Sequence, residues 1–138
     1  MTAEESLRRF GLVPNDASLP EIRELLARET EAERNGTPRA EDLAFLCSIQ
    51  LFSRGLLEDV LRIWDAKVSG MDLGASIDIQ LLCGPGLAET KAFLSGQATK
   101  EAAGALLCIQ KCEAAGDFED FSVASRMAQY GDYFGIPT

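Results

Sequence analysis

A two-residue phrase recurs at a fixed interval along residues 41–121. Ile49-Gln50, Ile79-Gln80 and Ile109-Gln110 stand 30 residues apart. Each pair is followed by a glycine (Gly55, Gly86, Gly116) and then by an acidic residue (Glu58, Glu89, Glu119). The apolar columns around the pair align in part: Leu43 and Leu73 fall with Ala103, Leu46 falls with Leu106, and Ser76 interrupts that second column. Self-similarity at such a period marks a helix-turn-helix unit that cannot bury its apolar face alone and needs a stacked neighbour. The register therefore predicts an all-α chain, a short solenoid-like stack of about four helix pairs with a degenerate 30-residue repeat. One domain is expected over residues 1–138: an irregular N-terminal helix pair over 1–36, three repeat-like helix pairs over 37–126, and a docked tail over 127–138. The signature residues of tetratricopeptide and ankyrin units are absent, so the match to those repeats is one of period only.

Local signals place the elements. Thr2 with Glu5, and Ser18 with Glu21, have the spacing of a capping box. Asn35-Gly36 should end the second helix, and Thr37-Pro38 should open a third over residues 38–53. That third helix is apolar nearly all round, which demands cover on more than one side and makes it central. Residues 56–68 carry Leu57, Val60, Leu61 and Trp64 on one stripe and should form a peripheral amphipathic helix. Residues 71–82 are ambiguous. Met71, Leu73, Ala75, Ile77, Ile79 and Leu81 alternate at the period of a strand, whereas the Ile-Gln register ties the segment to its helical neighbours. Helix is the reading adopted, capped by Asp72 and stopped by Gly84-Pro85-Gly86. Thr99 and Ser122 should cap the last two helices, and Tyr133, Phe134 and Ile136 make the tail aromatic enough to dock.

The residue inventory restricts the chemistry. The chain has no histidine, which removes the usual general base, the usual serine and cysteine triads and the commonest zinc ligand. No phosphate-binding glycine loop is present, and proline within Gly84-Pro85-Gly86 deletes an amide donor that such a loop would need. The four cysteines sit in apolar segments and lack a Cys-x-x-Cys knuckle, so they read as core thiols rather than zinc ligands. Asp72 with Asp78, and Glu119 with Asp120, do not pair as acid and base. No catalytic residue, cofactor or metal is expected.

Net charge is −9, from 22 acidic and 13 basic residues. That field repels nucleic acid and anionic membrane and points to a basic protein as partner. The acidic, polar N-terminus and the lack of a long apolar run lead to a cytoplasmic expectation without a membrane span. The expected function is a non-catalytic protein–protein interaction module with an acidic surface, of the immunity or inhibitor type. Glu113, Asp117, Glu119 and Asp120 form the densest acidic cluster and are its candidate partner-binding residues, with Tyr130 and Tyr133 as aromatic anchors. Alternative readings are a structural homo-oligomeric subunit, in the simplest case a homodimer, and a carboxylate-based enzyme. Gln50, Gln80 and Gln110 are read as structural, bonding the backbone of neighbouring loops, with extended-ligand binding as their alternative role.

Overall fold

The computed structural model describes residues 1–136, and among them the chain is all-helical, with eight α-helices and no strand. Pro137 and Thr138, the end of the expected docked tail, lie outside the described residues. Helix α1 covers Ala3–Phe10, where the Thr2 hydroxyl accepts from the Glu5 amide at 3.1 Å. Helix α2 covers Leu19–Asn35. Its expected cap at Ser18 is not made. A 3-10 turn over Asp16–Ser18 precedes the helix, Asn15 Oδ1 caps that turn, and the Ser18 amide is spent on Asn15 at 3.1 Å.

Helix α3 covers Leu43–Arg54, five residues shorter at its start than the expected 38–53. Thr37 is the physical reason. Its amide and its hydroxyl both donate to the Ala32 carbonyl, closing α2 beyond the left-handed Gly36 and leaving nothing to open α3. Helix α4 covers Val60–Lys67 behind a 3-10 turn over Leu57–Asp59. The ambiguous segment resolves into neither a single helix nor a strand. Helix α5 covers Met71–Ser76, a 3-10 turn covers Ile79–Cys83, and Ile77 and Asp78 between them are extended. Lys67 Nζ donates to the carbonyls of Gly74 and Ile77, so the end of α5 is satisfied by a neighbouring side chain and not by another helical turn. Helices α6, α7 and α8 cover Leu87–Ser95, Lys100–Ala114 and Val123–Tyr133, the last two capped by Thr99 and Ser122.

The centre of the core is α3. Leu46, Cys47, Ile49 and Gln50 are fully buried although they point in successive directions around the helix, so it is covered on all sides, as its all-round apolarity requires. Ile22 and Leu26 of α2 cover it from one side, and Tyr130 of α8 meets Phe52 edge to face from another. Helix α2 is pinned to the start of α4 by Asp59, whose buried carboxylate accepts from Arg23 Nε at 2.8 Å and Arg62 Nη1 at 3.0 Å. Two guanidinium partners are what make a buried carboxylate tolerable. Where the chain leaves α3 it crosses the Gly84-Pro85-Gly86 turn backbone to backbone. A Cβ at Gly84 would lie 2.5 Å from the Phe52 carbonyl oxygen, so close approach, not phosphate binding, accounts for that glycine.

The three repeated isoleucines are all buried, but their glutamines diverge. Gln50 donates to the Gly11 carbonyl at 2.8 Å, tying α1 to α3, and Gln80 donates to the Asp117 carbonyl at 2.7 Å. Gln110 is exposed.

Candidate functional site

A concave feature lined by several unpaired carboxylates lies where α2 hands over to α3. It is an open groove of about 460 Å³ between the end of α2, the segment 36–42, the start of α3 and α5. Its walls are fixed by two glutamates one turn apart on α2. Glu29 Oε1 accepts from the Ala40 amide at 3.0 Å and holds the connecting segment down. Burial pushes the Glu29 carboxyl above its ordinary range, against the opposing pull of that amide. Glu33 accepts from Arg39 Nε at 3.0 Å with one oxygen and from the Leu73 amide at 2.8 Å with the other. The Leu73 amide, with help from Arg39, holds Glu33 below the ordinary glutamate range.

That second bond replaces the expected cap of α5. Asp72 does not cap it; Gly70 occupies the cap position, brings no side chain, and leaves the first-turn amides to Glu33 from across the groove. A Cβ on Gly70 would meet the Glu33 side chain at 2.6 Å, so the glycine makes room for the borrowed cap.

Asp42 closes the groove on the α3 side in a left-handed conformation, φ 61°. Aspartate tolerates this region better than most residues. Its carboxylate accepts from the Tyr133 hydroxyl at 2.9 Å, which raises the tyrosine pKa, and the Tyr133 ring stands edge-on to Phe45 at 5.5 Å. Glu41 and Asp72, both exposed, line the groove and are in no ion pair among the described residues. With Glu33 neutralised by Arg39, three carboxylates (Glu41, Asp42, Asp72) face the opening without a cationic partner. Elsewhere positive charge is already committed: ten of the 13 lysine and arginine side chains are in ion pairs.

The sequence-derived candidates divide between two places. Glu113, Asp117, Glu119 and Asp120 are exposed around the α7–α8 connection, and none of them lines the groove. Glu113 is paired with Lys91 at 2.8 Å. The turn itself is held by Phe118, buried and edge-on to Phe121 at 5.4 Å, and by the Gln80 bond to the Asp117 carbonyl. Tyr130 is no exposed anchor. It is 4% exposed, packs on Phe45 and Phe52, donates to Asp78 at 3.0 Å, and its phenol is held well above the ordinary range by burial. Tyr133, at 60% exposure, does not line the groove but reaches its edge through the bond to Asp42.

Glu33, Arg39, Glu41 and Asp42 were not singled out by sequence, and Asp72 was considered only as a helix cap and beside Asp78. The available signal was the acidic doublet Glu41-Asp42 immediately before the apolar run that begins at Leu43, which fits a helix start better than a helix interior.

Two of the four thiols, Cys47 and Cys83, are buried and shielded from reaction. Burial pushes Cys47 and Cys83 up to about 12 and Cys112, beside Cys108, up to about 11. Among the described residues no three Cys, Asp or Glu side chains gather at metal-binding spacing, and no helix is long and apolar enough to cross a membrane.

Comparison with family models, curated proteins and solved structures finds no match to this chain.

Proposed function

We propose that this protein is a non-catalytic interaction module that receives a basic segment of a partner protein, and that the groove between α2, α3 and α5 is where a lysine or arginine of that partner seats. The observation that carries the reading is the set of three unneutralised carboxylates, Glu41, Asp42 and Asp72, lining one groove whose backbone is pinned by Glu29 and Glu33. A fixed wall of one charge sign favours a cationic side chain and steers its approach. Phe45 and Tyr133 add an aromatic flank of the kind that guanidinium groups stack on. An immunity-type or inhibitor-type role suits such a module, because its work is completed by binding alone. The burial of Ile49, Ile79 and Ile109 supports reading the 30-residue register as a degenerate helix-pair stack that scaffolds the groove.

The test compares two double charge reversals that alter the formal charge equally. Glu41→Lys with Asp72→Lys changes the groove, and Asp117→Lys with Glu119→Lys changes the α7–α8 turn. Binding of a fluorescent arginine-rich peptide is followed by anisotropy at rising salt. The groove pair should weaken binding by at least about tenfold and the turn pair far less. Equal losses would reduce the effect to net charge and refute the groove; a larger loss from the turn pair would move the site there.

A further inference from the structure

We propose that the cleft between α4 and the start of α7 is a self-association surface that seats the same face of a second copy of this chain. Helix α4 is apolar on two sides. Val60, Ile63 and Ala66 point into the core, so of the stripe expected from sequence (Leu57, Val60, Leu61, Trp64) only Val60 is fully buried. Leu61 and Trp64 of α4, with Leu57 in the preceding 3-10 turn and Val68 at the helix C-cap, make a second apolar edge that the fold leaves partly uncovered, Leu57 being 40% and Val68 53% exposed. Leu61, Trp64 and Val68 line a cleft of about 460 Å³, closed on its far side by Thr99 and Glu101. A helix that is apolar on two sides requires cover on both.

The charges around the cleft select the occupant. Its rim carries Glu58, Asp65 and Glu101 together with Arg62, and Arg23 and Arg34 bind Glu58 and Asp65 from α2. The three rim carboxylates are thus matched by three guanidinium groups, two of which, Arg23 and Arg62, also hold the buried Asp59. Acid and base are therefore balanced here, on a chain whose net charge is −9. The acidic groove and the α7–α8 turn repel a like copy, whereas this face does not. A twofold axis through the cleft sets a face with interspersed arginines and carboxylates against itself, which is the self-complementarity an isologous interface needs.

Sedimentation velocity on the intact chain from about 1 to 300 μM at near-physiological salt tests this. The expected result is a monomer–dimer equilibrium, with a blue shift in the emission of Trp64, the single tryptophan, as concentration rises. Val68→Glu and Leu57→Glu sit at exposed positions, should keep the far-UV circular dichroism of the parent, and should each weaken self-association by at least about tenfold. A monomer across the whole range overturns the proposal. So does a dimer that both variants leave intact, which would place the contact elsewhere. A monomer whose Trp64 emission shifts only on adding a basic peptide would assign the cleft to a different protein and likewise overturn it.

Discussion

Glu29 and Glu33 sit one turn apart on α2, and replacing each with glutamine separates charge from hydrogen bonding in two opposite settings. Glu33 is only 10% exposed and uses both oxygens, one for the Leu73 amide and one for Arg39. Glutamine offers a single acceptor, so Glu33→Gln weakens one charge-assisted bond and breaks the other. A charged hydrogen bond is worth about 1.5–3 kcal/mol and a neutral one about 1 kcal/mol, which puts the loss at about 2 kcal/mol or more at neutral pH. Glu29 makes one bond, to the Ala40 amide, which a glutamine oxygen preserves while relieving the burial of a charge. Glu29→Gln should lie within about 0.5 kcal/mol of the parent. Both variants remove one negative charge, so the general relief of self-repulsion cancels between them.

Their pH dependences should run in opposite directions. Native Glu33 titrates below its unfolded counterpart, so the stability it contributes is complete above about pH 4.3 and is lost as pH falls through the depressed native value. Its glutamine variant therefore loses less as the solution is acidified. Native Glu29 titrates above the unfolded value, so its contribution is present below about pH 4.3 and is lost as pH rises through the elevated one. Its glutamine variant loses most in acid. Urea unfolding followed by circular dichroism at about pH 7, 5 and 4 reads both. With a urea slope of about 1.5 kcal/mol per molar, Glu33→Gln should lower the midpoint by about 1.3 M or more at neutral pH. Parallel pH curves, or a Glu33→Gln loss under about 0.5 kcal/mol, would refute the role given to Glu33 as the cap of α5.

Three further outcomes follow from the same packing. Gln50→Met should destabilise by about 1–3 kcal/mol, because it takes the Gln50 amide away from the half-buried Gly11 carbonyl and the buried Ser6 hydroxyl, whereas Gln110→Met at the exposed equivalent position should stay within about 0.5 kcal/mol; thermal melts of the pair decide it. Gly84→Ala drives a methyl to 2.5 Å from the Phe52 carbonyl oxygen and should cost about 1–3 kcal/mol, while Gly104→Ala, with its nearest neighbour the Trp64 ring at 3.6 Å, should stabilise α7 by about 0.5–1 kcal/mol, as calorimetry would show. At about pH 8 iodoacetamide should modify the half-exposed Cys108 and Cys112 well before Cys47 and Cys83, whose buried thiols are pushed up to about 12, and peptide mass spectrometry on the native protein would reveal any other order.

The all-helical class was legible because helix starts and stops are local. Thr2, Thr99 and Ser122 cap where their side chains can reach an amide three residues on, and Gly36 and Gly55 end helices in the left-handed conformation that suits glycine. Segment 71–82 was misread because its ends are set from outside. Lys67 takes the carbonyls at the end of α5 and Glu33 takes an amide at its start, across 40 residues of chain, and no periodicity encodes such a bond. Tyr130 was misplaced for a related reason. Its ring is claimed by Phe45 and Phe52 of α3, and the sequence near Tyr130 gives no sign of them.

The errors of local reading at Thr37 and Asp72 converge on one place, and that convergence is itself informative. Both are good helix starters, yet Thr37 closes α2 and Asp72 leaves its helix start to a glutamate from another element. Had each followed its local preference, Thr37 would have extended α3 back over segment 38–42, and Asp72 would have been drawn to the backbone of α5. The left-handed Asp42 and the exposed Glu41 and Asp72 would then have been spent on helix termini instead of lining a groove. Where several local rules are set aside together, the usual reason is that the surface they would have closed is needed open. Restoring one rule tests this. Gly70→Ser supplies α5 with a cap of its own and displaces the Glu33 side chain, which a Cβ at that position would meet at 2.6 Å. The variant should keep its helix content, release Arg39 from Glu33 to neutralise the groove, and weaken binding of the arginine-rich peptide by about fivefold or more. Unchanged peptide binding with the Glu33–Arg39 pair broken would mean that charge in the groove does not govern recognition.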